Sequence, residues 1–229
     1  MQPSEKIKVY LVDDHPLVRE SLSNLINEEP DLLVCGEADD AERAMKEMER
    51  LRPQLAIVDI SLQQGVGGLE LIKAVKAKIP LLSIIALSMH DEKLYAERCI
   101  RAGALAYVMK RESSKRIMTA IREVLAGRLC VGEPIAARFS DKRPGGVAGK
   151  SYEKAPIETL SDRELEVFKL LGRGMTAREA AKTLSISVKT VQTHCAKIKQ
   201  KLNRSTATEL LMEAFLWRDQ NTNWPNPPV

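Results

Sequence analysis

The chain has 229 residues, of which 44% are hydrophobic and 29% charged, with a formal net charge of +4. That length admits one large domain or two small ones, and the composition is that of a globular protein able to fill a core. No apolar run approaches the roughly 20 residues of a membrane span, and MQPSEKIKVY carries no signal-peptide apolar region, so the expected location is cytoplasmic with no membrane partner. The net charge hides an asymmetry: residues 1–127 hold 18 Lys/Arg and 20 Asp/Glu, whereas residues 128–229 hold 17 and 11. An acidic half followed by a basic half suggests two domains with different partners, the second a polyanion. The cysteines at 35, 99, 130 and 195 form no CxxC pair, which argues against a zinc site or a disulfide framework and for free thiols.

Residues 7–127 alternate short apolar runs with helical patterns. The runs are IKVYLV (7–12), LLVCGEA (32–38), LAIVD (55–59), LLSIIALS (81–88) and LAYVMK (105–110). Several are continuous rather than alternating, as in strands buried on both faces. Between them, Val18, Leu22, Leu25 and Ile26, and later Ile117, Ile121, Val124 and Leu125, recur at helical spacing. Five β-α units in a row predict a doubly wound parallel sheet. If its order is the flavodoxin-like 2-1-3-4-5, strands 1 and 3 are neighbours. Residues 128–156 break the rhythm with EP, RPGG, AGK and SYEKAP, which is linker chemistry with some helix near Ile135–Phe139. The next 60 residues predict four short helices. Ser161/Glu164, Thr176/Glu179 and Thr206/Glu209 each fit a capping box, and Ser187 fits a fourth N-cap. The expected organisation is a first domain over 1–129, a linker over 130–156, a small all-α four-helix domain over 157–220 and a loose tail over 221–229.

In an open parallel sheet, ligands sit beyond the carboxyl ends of the strands where strand order switches. The first predicted strand runs into Asp13-Asp14, the third ends in Asp59, the fourth in Ser88 and the fifth in Lys110. Adjacent carboxylates repel and lose hydration beside a packed sheet, so something must offset the cost. Mg²⁺ does so: it takes hard oxygen ligands and neutralises charge on a phosphoryl group. In this reading Asp13 and Asp14 share the metal. Asp59, alone and central, accepts the phosphoryl group, while Lys110 and Ser88 contact its oxygens. Any one of these residues alone would more often be a turn residue, a cap or a solvated charge.

Asp13-Asp14, Asp59, Ser88, Tyr107 and Lys110 stand in the order and approximate spacing of the receiver domain of two-component response regulators, which residues 7–127 resemble. The resemblance implies the (βα)5 fold with order 2-1-3-4-5, transfer from a histidine kinase to Asp59, Mg²⁺ held by Asp13, Asp14, Asp59 and the backbone carbonyl of Ser61, and a joint movement of Ser88 and Tyr107. Two departures stand out. Gln63 occupies the place of a usual Pro, and Gly68 falls nine residues after Asp59 instead of the usual eight, so the loop is expected to be one residue longer and more flexible. Met89 follows the switch hydroxyl, where a small residue is usual.

Thr176–Leu184, a Ser185-Ile186 turn and Ser187–Leu202 have helix-turn-helix spacing. On the longer helix Val191, Cys195, Ile198 and Leu202 make one apolar stripe. Thr190, His194, Lys197 and Lys201 lie beside it and, with Lys189 and Thr193, make a basic face. No acid occurs between Glu179 and Glu209, an interval holding five lysines and Arg204. Such a face suits double-stranded DNA, with cations on phosphates and short residues near base edges, although a charge run is more usually a solvated face. The stretch from Leu160 to Leu202 resembles the LuxR-type helix-turn-helix of the NarL/FixJ subfamily. Lys189, Thr190, Val191, Thr193, His194, Lys197 and Lys201 are the candidate DNA contacts. The resemblance implies a homodimer on two half-sites, with Leu211 and Trp217 on the final helix as candidate contacts, unless they only close the core. Two other classes stay open at this point: a Mg²⁺-dependent phosphohydrolase working through an aspartyl phosphate, against which DDHP lacks the DxDx(T/V) pattern, and a DNA binder whose first domain is never phosphorylated.

Overall fold

The computed structural model describes residues 5–62, 67–89, 92–133, 135–136 and 156–220. The chain divides into two compact units, residues 1–149 and 150–229. The first is a five-stranded parallel sheet in the order β2-β1-β3-β4-β5. Its strands are β1 (Ile7–Val12), β2 (Leu32–Ala38), β3 (Leu55–Asp59), β4 (Ser83–Ser88) and β5 (Ala106–Met109). Between and after them run α1 (Pro16–Asn27), α2 (Ala41–Leu51), α3 (Gly68–Lys78), α4 (Glu92–Ala102) and α5 (Ser114–Leu125). The three inner strands are the continuous apolar runs, and every residue of β3 is buried, as expected of a strand covered on both faces. One layer of core joins Val9, Leu11, Ile57, Ile85 and Val108 to Leu22, Ile26, Ile117, Ile121 and Val124 of α1 and α5. Each large aliphatic side chain so buried contributes roughly 1.5–3 kcal/mol before conformational entropy is subtracted.

Local signals set the helix starts. Asp40 caps α2 by accepting from Arg43 N–H, and Ser113 caps α5 by accepting from Arg116 N–H. Pro16 opens α1, where its missing N–H costs nothing. At the start of α3 a Cβ on Gly68 would lie 1.9 Å from the Asp59 carbonyl oxygen, so only glycine lets the helix approach the end of β3. Beyond α5 the chain returns to the sheet. Cys130 bridges Ala106, with its N–H donating to Leu105 O (2.8 Å) and its carbonyl accepting from Tyr107 N–H (3.2 Å). Of the expected helix near Ile135–Phe139, Ile135 and Ala136 are helical and Ile135 is buried. The rest of it, the linker core and the expected departure at Gln63 lie outside the described residues.

Among the described residues, the second unit holds a 3-10 turn at Pro156–Thr159 and four helices: α6 (Asp162–Gly172), α7 (Ala177–Thr183), α8 (Val188–Lys201) and α9 (Ala207–Gln220). The Ser161/Glu164 and Thr176/Glu179 capping boxes close in both directions, and Ser187 caps α8 through Thr190 N–H. At α9, Glu209 N–H donates to Thr206 Oγ1 (3.1 Å) while Glu209 accepts from Ser205 and Thr206 N–H. Ser185, at φ 52°, turns the chain between α7 and α8. Leu165, Phe168, Ala180, Val191, Ile198, Leu202, Leu210 and Ala214 fill the core. Helices α6 and α9 press together at Gly172, where a Cβ would lie 2.5 Å from the Ala214 carbonyl oxygen.

Candidate functional site

The order β2-β1-β3 places the ends of β1 and β3 side by side at the point where the winding reverses, so Asp13, Asp14 and Asp59 converge. Ligand atoms of Asp13, Asp14, His15 and Asp59 all lie within 4.8 Å of one another. Asp59 is fully buried and Asp13 nearly so. Lys110, the residue after β5, reaches across with its Nζ 2.7 Å from Asp13 Oδ2 and 2.8 Å from Asp59 Oδ2. Ser61 N–H donates to Asp59 Oδ1 at 2.9 Å, which orients the carboxylate. Ser88 is buried at the end of β4, and Tyr107 is buried on β5, where it pairs in register with Ala86.

Burial raises the Asp59 carboxyl above the usual carboxylate range. Lys110 and the Ser61 N–H pull it down, and Asp13 pushes it up. One ammonium therefore does not balance the three carboxylates at this mouth. Three of the four donors are hard carboxylate oxygens, the fourth being the His15 imidazole at the rim, and the charge surplus of the carboxylates fits a divalent cation of the Mg²⁺ type.

His15 is the member that the sequence reading passed over. Its Nδ1 lies 2.8 Å from Asp14 Oδ1 and 3.1 Å from Asp13 Oδ1, on a half-exposed ring. Its place directly after the acid pair was the available signal.

On the second unit, Lys189, Thr190, Thr193 and Lys197 are exposed along α8, and His194 is half-buried, its imidazole held below the usual range by burial. Gln192, Ala196 and Gln200 share the outward surface, and sequence reasoning missed them although it named the equally uncharged Thr190 and Thr193. Two expected contacts are placed otherwise. Val191 is wholly buried and packs in the core, so it cannot reach a base edge. Lys201 is exposed, but its ammonium donates to Glu164 Oε2 at 2.6 Å and to Thr159 O at 3.1 Å. On α9, Leu211 is exposed beside Met212, Phe215 and Leu216. Trp217 instead packs edge-on against Phe168, with ring centroids 5.9 Å apart.

The response regulator receiver domain matches residues 9–122, and the LuxR family of bacterial regulatory proteins matches residues 158–214. The transcriptional activator protein ExaE of Pseudomonas putida is 32% identical over 213 residues, covering 92% of this chain and 98% of ExaE. The chain is a response regulator of the LuxR-type family. The transcriptional regulatory protein LiaR of Bacillus subtilis is 30% identical over 210 residues, covering 91% of this chain and 96% of LiaR. A LuxR-family two-component response regulator from Aurantimonas sp. SI85-9A1 is 32% identical, with a TM-score of 0.54 over 61% of this chain and 99% of that one. RcsB of Salmonella enterica, solved on promoter DNA, is 24% identical with a TM-score of 0.65 over 92% of this chain and 98% of that one, a likeness of fold. The response regulator is accordingly a transcription regulator built from a receiver and a LuxR-type DNA-binding domain, and not a dedicated enzyme. Among the described residues, no helix is long and apolar enough to cross a membrane.

Proposed function

We propose that this response regulator is switched by transfer of a phosphoryl group from a sensor histidine kinase to Asp59. The observation that carries the reading is the ammonium of Lys110 held 2.8 Å from the buried Asp59 carboxylate, at the mouth shared with Asp13 and Asp14. A carboxylate oxygen of Asp59 attacks phosphorus, the bond to the kinase imidazole breaks, and the imidazole nitrogen keeps the electron pair. Ser61 N–H fixes the attacking carboxylate, Lys110 moves to a phosphoryl oxygen, and Ser88 donates to another. Asp13, Asp14, Asp59 and the Ser61 carbonyl would hold Mg²⁺, which when bound shields charge on the phosphoryl oxygens. Ser88 and Tyr107 carry the change through β4 and β5.

The organisation that goes with this reading is a receiver that continues past the expected end at 129, since Cys130 pairs with Ala106, then a linker up to 156, a DNA-binding domain over 157–220 and a tail over 221–229, in a cytoplasmic protein. The exposed face of α8, with Lys189, Thr190, Thr193, His194 and Lys197, meets double-stranded DNA. A homodimer formed after phosphorylation presents two such helices, and Leu211 with its exposed apolar neighbours on α9 supplies contact area.

The test is intact mass after incubation with Mg²⁺ and a small-molecule phosphoryl donor, beside Asp59→Asn. One phosphoryl adduct on the parent and none on the variant is expected. An unmodified parent would leave a constitutive DNA binder whose receiver serves only as a platform.

A further inference from the structure

The lysines of α8 are used in two ways. Lys189, Lys197 and Lys201 are all exposed, and what sets Lys201 apart is its partner. Lys201, on the last turn, lies 2.6 Å from Glu164, a carboxylate only 5% exposed, and also donates to Thr159 O at 3.1 Å. The same Glu164 oxygen accepts from Ser161 N–H at 2.7 Å, so one oxygen closes the capping box of α6 and grips the end of α8. A capping box needs no lysine. In the Thr176/Glu179 box, which is exposed, the carboxylate meets only the Thr176 N–H and hydroxyl among the contacts described. In the buried box burial pushes Glu164 up, but Lys201 and the Ser161 N–H win and hold it below the usual range. The carboxylate therefore stays charged and keeps its partner at neutral pH.

Resting on the reading of α8 as the DNA-contacting helix, we propose that Glu164 and Lys201 are a positioning clamp that sets the angle at which α8 meets DNA. Lys201 is then a positioning residue and not a phosphate contact. The lever is long. Lys201 lies about 18 Å along the helix axis from Lys189, so a tilt of about 5° about the clamped end moves the first turn by about 1.5 Å. That displacement breaks hydrogen-bond geometry at base edges and leaves long-range attraction to phosphates nearly unchanged. Loss of the clamp therefore lowers sequence discrimination, whereas loss of a phosphate contact lowers binding to any duplex.

The experiment uses the full chain and two duplexes: one that the parent enriches from a random pool, and an unrelated one of equal length. Affinities are measured across a salt series from about 50 to 200 mM. Lys201→Met and Glu164→Gln are each expected to weaken the enriched duplex by about tenfold and the unrelated one by less than twofold, with the salt slope unchanged. Combining them should add little, and Lys201→Arg should restore discrimination, because a guanidinium can still meet Glu164. Lys189→Met is the contrast: both duplexes weaken and the slope falls by about 0.9. The clamp is overturned if Lys201→Met lowers the slope as Lys189→Met does, or if neither clamp variant alters discrimination. A general unfolding of the domain would weaken both duplexes together and is also read from a melting curve, where Lys201→Arg keeps the parent value. A parent that enriches no sequence at all overturns the DNA reading itself and the clamp with it.

Discussion

The receiver site and the basic helix both gather charge, and they treat it in opposite ways. At the mouth of the sheet, Lys110 is 5% exposed and sits between two carboxylates of 2% and 0% exposure. On α8, Lys189 and Lys197 stand in water. Charges withdrawn from water act strongly, over short distances, on a group that comes to them, and salt screens them little. Charges left in water bind weakly one by one, collectively attract a polyanion, and are governed by salt. One chain thus carries a chemical site and an electrostatic surface.

The largest expected effect tests whether the two regions are separable. Phe168→Ala removes a buried ring that packs on Trp217, and should cost about 3–5 kcal/mol in the second unit. DNA binding should fall away while the phosphoryl adduct on Asp59, read by mass, forms as in the parent. Loss of the adduct would show that the two regions do not fold separately. Gly68→Ala is the counterpart in the first unit. Its Cβ would meet the Asp59 carbonyl, so a loss of about 2–3 kcal/mol in urea unfolding and slower adduct formation are expected.

Next comes the buried charge itself. The folded state raises the Asp59 pKa, so above the unfolded value the folded form binds more protons and this group weakens folding as pH rises through the unfolded value towards the folded one. In Mg²⁺-free buffer, Asp59→Asn should therefore stabilise the protein by about 1 kcal/mol at pH 7. The gain should shrink on acidification, as Asp59 takes up its proton, and should narrow when Mg²⁺ is added. A pH-independent gain would mean that shape, not charge, is responsible. The smallest effect is on the other side: Lys197→Ala should weaken any duplex severalfold and reduce the salt slope by about 0.9, with no change in melting temperature.

How much could be read beforehand follows from the same physics. LAIVD was legible to the residue because a strand buried on two faces is a continuous apolar run, and β3 is buried throughout. IKVYLV and LLVCGEA also match β1 and β2 to the residue, although β1 begins half-buried and β2 is buried only at its ends. The runs at 81–88 and 105–110 overshoot, since β4 starts at Ser83 and β5 spans Ala106–Met109, and flanking apolar residues such as Leu81 lie in water. The capping boxes were legible because they are local, with both partners three residues apart. Asp59 and Lys110 required the sheet order, which the count of β-α units alone does not fix; the flavodoxin-like order was assumed, the receiver resemblance supported it, and the sheet has it. Lys201 was not legible. Spacing places it beside Thr190 and Lys197, but a long flexible side chain chooses its partner in three dimensions, and that partner, Glu164, is 37 residues away on another helix. Val191 could be read as core from its stripe, and its burial agrees with that periodicity rather than with a role at DNA.

The return of the chain at Cys130 has a consequence for the molecule at high concentration. β5 is the last strand of the sheet, and an uncovered final strand is a template on which another chain can add. Here Leu105 O and Tyr107 N–H are already taken by Cys130, so the template is blocked from within the same chain. A polymer grown by strand addition at this end would first have to peel that segment away. The fold thus guards one rim of its sheet against aggregation with a single residue pair.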